Sequence, residues 1–260
     1  GFELMHVLVI SLPFDDTRRK RVSDIMNELN VEYSFVDALY GKTLSAEEKS
    51  KIPLTDFQHR VNHNPTDGEL GCSLSHMKAF KQFLQSGQDW VCILEDDAII
   101  DKDFKEFIST VDERVLNKDA LYLLGGQDGL RYKNKVVLNL IKLKRIGGQT
   151  FGKVIFGHGY VLRACGYLMN AEMAQKLLSR FEHNFFIIDE WAYLMRQGYF
   201  SDIYMANFVH HPEELSGSWL EKERQEIKNR KKKKKSFIRL MISSSYWHSR
   251  RILLGLCWWK

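Results

Sequence analysis

Trp90-Val91-Cys92-Ile93-Leu94-Glu95-Asp96-Asp97-Ala98-Ile99-Ile100 joins an apolar run of strand length to three consecutive carboxylates, after which apolar residues resume. A buried strand has no use for adjacent acids, because an uncompensated charge leaving water is costly. Three acids at a strand end form either an acidic surface turn or a site for a hard divalent cation, which prefers oxygen ligands. The flanking chain decides between the two.

On the N-terminal side, His6 to Leu12 reads as a strand closed by Pro13, after the leading Gly1 to Leu4, which are set aside. Asp15-Asp16-Thr17 offers N-caps for a helix with Val22, Ile25, Met26 and Leu29 on its apolar face. Arg18 to Arg21 load the first turns of that helix with cations, where acids are favoured; they imply either a nearby phosphate or a solvated basic face. Glu32 to Ala38 alternates as the next strand, so the chain opens β-α-β and predicts a parallel α/β sheet. Ser45-Ala46-Glu47-Glu48 is a capping box for a short helix stopped by Pro53. In Thr66-Asp67-Gly68-Glu69-Leu70-Gly71-Cys72-Ser73-Leu74-Ser75-His76, two glycines three apart around an acid predict a tight turn, followed by a helix bearing Leu74, Met77, Phe80, Phe83 and Leu84. Ser75 and His76 lie off that stripe, and His76 reads as a ligand or as a hydrogen-bonded structural residue.

On the C-terminal side, Phe104, Phe107, Ile108 and Val111 mark a helix, and Ala120 to Leu124 a buried strand ending in Gly125-Gly126-Gln127-Asp128-Gly129. Open α/β sheets bind ligands at the carboxyl ends of their strands. Residues 131 to 150 are polar and basic and read as a long excursion. Gly157 to Tyr160 and Gly166 to Met169 read as strand segments, and Asn170 caps a helix with Ala174, Leu177, Leu178 and Phe181. Phe185 to Ile188 is a second apolar run ending in acids, Asp189-Glu190, with Asp189 placed to cap a helix through Trp191, Leu194 and Met195. Ile203 to Val209 is a last strand, ending in His210-His211-Pro212.

Charge is distributed unevenly. From Lys228 to Lys260 there are eleven Lys or Arg and no acid, so removing them from the net +5 leaves −6 on the rest of the chain. Arg230 to Lys235 is an unbroken cationic run, followed by Phe237, Ile238, Met241, Ile242, Trp247, Ile252, Leu253, Leu256 and Trp258 at helical spacing. Such a tail suits an anionic membrane surface, with no nucleic acid expected, since phosphate tracking does not need so much aliphatic surface. No apolar run approaches the ~20 residues that span a bilayer. Cys72, Cys92, Cys165 and Cys257 are widely spaced with no CxxC pair, which argues against a zinc site or a disulfide framework and for a reducing compartment.

A cation on the first acid cluster and a general base in the second support transfer of a sugar from its nucleotide diphosphate. The chain also resembles glycosyltransferase family 25, the bacterial lipooligosaccharide hexosyltransferases related to the collagen galactosyltransferases. The resemblance covers roughly residues 6 to 212, departs at 125 to 160, and rests on Val9-Ile10-Ser11-Leu12 with the Arg-rich helix, Gly68 to His76, Leu94-Glu95-Asp96-Asp97, and Tyr167-Leu168 with Ala174 and Leu177-Leu178.

It implies a GT-A type, Rossmann-like α/β fold with a mixed, mainly parallel sheet: a catalytic domain over 5–217, with a donor half to about 125 and an acceptor half after it, to which the charge pattern itself adds a basic amphipathic helical tail over 218–260. It implies Mn²⁺ or Mg²⁺ on Asp97, with Glu95 or Asp96 nearer ribose or metal-bound water, and His211 either completing the metal shell or lying as a surface histidine. Gly68, Glu69, Ser75 and His76 would line the donor side, with Glu69 alternatively a turn acid bonding local N–H groups. Asp189, or failing it Glu190, would be the base of an inverting transfer of a hexose, galactose first, from a UDP-sugar to a lipid-linked oligosaccharide. The tail then places the protein on the inner face of the bacterial cytoplasmic membrane. The competing readings are a metal-dependent phosphoesterase and a non-catalytic α/β scaffold tethered to membrane or RNA.

Overall fold

The computed structural model describes residues 4–213 and 250–256. In chain order these form β1 (His6–Ser11), α1 (Asp16–Glu28), β2 (Ser34–Asp37), α2 (Ala46–Ser50), α3 (Thr55–Val61), α4 (Asp67–Ser86), β3 (Trp90–Glu95), α5 (Lys102–Thr110), β4 (Ala120–Gly125), β5 (Val137–Leu138), β6 (Lys144–Ile146), β7 (Gln149–Phe156), β8 (Gly166–Asn170), α6 (Ala171–His183), α7 (Trp191–Arg196) and β9 (Asp202–Val209). Residues 250–256 are helical.

One mixed sheet runs in the order β2-β1-β3-β8-β4-β9-β7-β5, with β6 paired to β7. The mainly parallel order expected is found in β2-β1-β3 and in β4-β9. Elsewhere pairing is antiparallel, because β8 runs backwards between β3 and β4, and β7 runs backwards beside β9. β8 comes from the later part of the chain, so the sheet interleaves the two halves. The central strands are buried on both faces: Val91 and Ile93 of β3 enter one apolar cluster with α4 and α6, while Trp90, Cys92 and Leu94 enter the other with α1 and α5. Burial on both sides is why β3 reads as a continuous apolar run.

Local signals position these elements. Asp15 caps α1, Ser45 and Glu48 form the capping box of α2, and Asn170 caps α6 through Met173 N–H. The tight turn expected at Gly68–Gly71 is instead the start of α4, capped by a Thr66–Glu69 box. Gly71 serves close approach: a Cβ there would lie 2.6 Å from Gly41 N, a separation that real atoms do not tolerate. The excursion expected at 131–150 carries β5 and the β6–β7 hairpin, whose Gly147-Gly148 both have positive φ, as a type I′ turn requires. Residues 158–160 are a 3₁₀ turn and not a strand. Phe185 to Ile188 is also not a strand; Phe185 N–H donates to Pro53 O, and Ile188 N–H to Ser73 Oγ. An apolar run there reflects a buried loop under α4. No described helix is long and apolar enough to cross a membrane. Most of the expected basic tail lies outside the described residues, and within 250–256 Ile252, Leu253 and Leu256 are exposed.

Candidate active site

Parallel pairing of β1 with β3 brings Ser11 and Glu95 to one sheet edge, with Ile10 opposite Glu95. A cleft opens there, lined by Ser11, Arg18, Tyr40, Lys42, Gly68, Gly71, Cys72, Ser75, His76 and the acids Glu95, Asp96 and Asp97.

The three acids have three different environments. Asp96 is fully engaged: Ser11 Oγ donates to Oδ2 and Arg18 Nη1 to Oδ1, both at 2.7 Å. Burial still pushes its carboxyl above the ordinary value, against the lowering effects of Arg18 and Ser11. Arg21 donates to Asp96 O, and Arg19 to Asp37 Oδ1 at 2.6 Å and to Ser11 O at 2.9 Å. Arg18, Arg19 and Arg21 therefore tether α1 to the ends of β1, β2 and β3, with Arg18 also lining the cleft, and Lys20 alone of the four pairs outward, with Asp24. Glu95 Oε1 lies 3.3 Å from His76 Nε2 and 3.6 Å from Cys72 Sγ. Asp97 faces His211, with Oδ2 3.3 Å from Nε2, while its Oδ1 is buried with no hydrogen-bond partner among the described residues. Burial raises the Asp97 carboxyl, but the hydrogen bond and charge of His211, with Arg18 and Arg21, outweigh it and hold it below the ordinary value. His211 is correspondingly raised: burial lowers it and Asp97 more than compensates.

An orphaned carboxylate oxygen in a buried site calls for a partner. His211 Nδ1 lies 2.9 Å from Pro212 O, so a cation that displaced the Nε2 proton would leave a proton on Nδ1 donating to that carbonyl and free Nε2 to ligate beside Asp97. Adjacent ligands on an octahedral cation with bonds of about 2.1 Å lie about 3 Å apart. The Asp97–His211 pair, one carboxylate and one imidazole with no sulfur, therefore fits Mn²⁺ or Mg²⁺.

The acid-bearing turn is tied to the histidines by paired backbone bonds between Ile99 and His210, at 2.8 and 2.9 Å. Asp128 reinforces this, accepting from His211 N–H at 2.9 Å, with His210 Nδ1 at 3.2 Å. Sequence reading placed Asp128 only within a ligand-binding glycine loop. The two glycines before it are required, since a Cβ at Gly125 would lie 2.0 Å from Val209 O, and one at Gly126 2.6 Å from the Cys165 Cβ.

Arg163 was missed altogether. It holds φ of 67°, a conformation costly for a residue with a side chain. Its N–H donates to Asp189 Oδ2 at 2.9 Å, its carbonyl accepts from Trp191 Nε1 at 2.9 Å, and its Nη1 donates to Asp128 O at 2.6 Å. A continuous path of contacts thus runs from Asp189 through Arg163, Asp128 and His211 to Asp97. The N-cap position of α7 is Glu190 and not Asp189. Glu190 is held by both guanidinium nitrogens of Arg60 and by Ile187 N–H at 2.8 Å. Glu69 is the capping acid of α4, its Oε2 accepting from Thr66 N–H at 2.9 Å, and is absent from the cleft lining. Ser75 Oγ accepts from Leu39 N–H at 2.8 Å and donates to Gly71 O at 2.6 Å, which seats α4 against the loop after β2.

Comparison with known proteins gives consistent findings. The family model described as "Glycosyltransferase family 25 (LPS biosynthesis protein)" matches residues 5–192. "Procollagen galactosyltransferase 1-A" of Xenopus laevis is 32% identical over 45% of this chain and 20% of its own length. "Probable inactive glycosyltransferase 25 family member 3" of Rattus norvegicus is 28% identical over 80% of this chain and 35% of its own. A "Putative glycosyltransferase" of Haemophilus influenzae is 30% identical over 40% and 36%. The chain thus spans 20% to 36% of the length of these relatives.

Proposed function

The chain belongs to glycosyltransferase family 25, and from that premise we propose that it is an inverting, metal-dependent hexosyltransferase of the GT-A type. The donor is a UDP-sugar, UDP-galactose first, and the acceptor a hydroxyl of a lipid-linked oligosaccharide of the lipooligosaccharide or lipopolysaccharide kind. The observation that carries this reading is the buried, unpartnered Asp97 Oδ1 beside His211 in a cleft at the carboxyl ends of β1 and β3.

The Asp97 carboxylate and His211 Nε2 would hold Mn²⁺ or Mg²⁺, with Glu95 at the edge of the same acid turn. When bound, the cation takes up negative charge on the departing diphosphate. Arg18 and Ser11 lock Asp96, so that the turn presents Asp97 in one orientation and Asp96 serves to shape the nucleotide side. Tyr40, Lys42, Ser75 and His76 line that side of the cleft.

On the acceptor side, Asp189 accepts the proton of the attacking hydroxyl as its oxygen bonds to C1 of the sugar and the bond from C1 to the diphosphate oxygen breaks, which inverts the anomeric centre. Arg163 N–H orients the Asp189 carboxylate. Glu190 is the weaker candidate, since both its oxygens accept from the Arg60 guanidinium. We assign membrane association on the cytoplasmic inner face to residues 230–260. The exposed Ile252, Leu253 and Leu256, flanked by Arg250 and Arg251, support that assignment.

A relative matched over 80% of this chain is named inactive, so the first experiment is turnover itself. A panel of UDP-sugars is incubated with Mn²⁺, and sugar release is followed by UDP formation. Hydrolysis of UDP-galactose that is lost on chelation and in Asp97→Asn is the expected result. Equal rates with and without metal would overturn the metal-dependent reading.

A further inference from the structure

Cys72, His76 and Glu95 form a cluster in the same cleft as the Asp97–His211 pair. Cys72 and His76 are four apart on α4, which places both on one face of the helix, and Glu95 is the last residue of β3 opposite them. One ligand atom of each, Sγ, Nε2 and Oε1, lies within 4.8 Å of the other two.

The separations are informative. Zinc bonds of about 2.3 Å to sulfur and about 2.1 Å to nitrogen and oxygen, at tetrahedral angles, place N and O about 3.4 Å apart and S and O about 3.6 Å apart. The observed distances are 3.3 Å for His76 Nε2 to Glu95 Oε1 and 3.6 Å for Cys72 Sγ to Glu95 Oε1. His76 is fully buried and its other ring nitrogen is held 2.7 Å from Tyr167 Oη, against which the ring stacks. That contact fixes the ring plane and, with the proton on Nδ1, turns the Nε2 lone pair toward Glu95, as an outer partner does for a ligating histidine. Glu95 and Cys72 are only part-buried and line the cleft, so an ion has an entry path and an open fourth position.

We propose that Cys72, His76 and Glu95 form a second, sulfur-containing metal site that takes Zn²⁺ in the donor cleft. On binding, the Cys72 thiol loses its proton to solvent, so a thiolate and a carboxylate neutralise the dication and the imidazole stays neutral. Sulfur selects zinc over manganese or magnesium, whereas the Asp97–His211 pair lacks sulfur and favours the harder ions. A zinc site at Cys72 departs from the expectation that widely spaced cysteines argue against one, because the partners of Cys72 come from its own helix and from a strand residue 23 positions away.

If the cleft also takes the nucleotide, as the preceding section proposes, Zn²⁺ here opposes donor binding; the site itself does not depend on that assignment. The test uses Co²⁺ as a spectroscopic stand-in on the full chain, since tetrahedral thiolate coordination gives a near-ultraviolet sulfur-to-cobalt charge-transfer band and intense visible bands. Wild-type protein and Asp97→Asn should both show the bands at one equivalent, and added Zn²⁺ should remove them. Cys72→Ser, whose fold is checked by circular dichroism and thermal melting, should lack the charge-transfer band and bind Zn²⁺ at least tenfold more weakly. His76→Gln should lose the tetrahedral visible spectrum. No band in the wild type, or a band that survives Cys72→Ser, would overturn the proposal. Zn²⁺ binding that leaves UDP affinity unchanged would instead keep the site and count against the donor assignment of the cleft.

Discussion

The acid turn after β3 and the acid pair before α7 are built alike. In each, an arginine from a distant segment takes one carboxylate and leaves its neighbour with a different task. Arg18 on α1 holds Asp96, 78 residues away, and Asp97 keeps a buried oxygen without a partner. Arg60 on α3 holds Glu190, 130 residues away, and Asp189 is oriented by a backbone N–H. The turns differ in charge balance: Asp97 faces the His211 imidazole, whereas Asp189 faces the amide of a residue in a strained conformation. Adjacent acids with the same side-chain chemistry thus meet different partners, and the proposed division into structural and reactive roles follows those partners.

The largest expected difference lies within the first pair. Asp97→Asn should lower metal-dependent kcat/KM by at least about 10³-fold, or several kcal/mol of transition-state stabilisation. Asp96→Ala should act mainly on stability. It removes the acceptor of Ser11 Oγ and one ion-pair partner of Arg18, which keeps Asp15, but burial already works against the charged Asp96, so the loss should be near the low end of the usual range, about 1 kcal/mol by denaturant unfolding. Equal activity losses in the two variants would erase the proposed division.

The second pair gives a smaller contrast. Asp189→Asn should cost about 10²- to 10⁴-fold in kcat, the usual range for a general base, with UDP affinity retained. Glu190→Gln should leave kcat within tenfold and lower stability by about 1–2 kcal/mol, a part-buried pair discounted for solvent. A Glu190→Gln protein more impaired in transfer than Asp189→Asn would reverse the assignment. The last contrast concerns the cleft wall beside the first turn: Gly71→Ala pushes a methyl group into the Gly41 backbone and should destabilise by about 1–3 kcal/mol while donor affinity falls. Unchanged unfolding would show that α4 does not need that close approach.

Much of this architecture is legible in the sequence where the signal is local. Asn170 and Ser45 announce their helices, and the stripe Val22, Ile25, Met26, Leu29 faces the core as its spacing predicts. Local reading failed where one residue type serves two purposes. Gly68 and Gly71 read as a turn, although the Thr66–Glu69 capping box in the same stretch starts a helix and Gly71 is needed for backbone contact. Phe185 to Ile188 read as a strand because a buried loop has the same apolar run. The reversed insertion of β8 between β3 and β4 leaves no mark in residue order. The site divides the same way: Glu95, Asp96, Asp97, Asp189 and His211 stand out by type and position, whereas the contacts that set them apart, from Arg18, Arg60, Asp128 and Arg163, join segments far apart in the chain.

The central claim is that Asp97, with His211, holds a divalent cation that carries the donor's diphosphate. Thermal unfolding with UDP alone, Mn²⁺ alone and the two together tests it most directly. The account predicts a large shift in Tm only with both ligands, lost in Asp97→Asn and retained in Asp189→Asn. A full shift from UDP alone, or one that Asp97→Asn leaves intact, would contradict it.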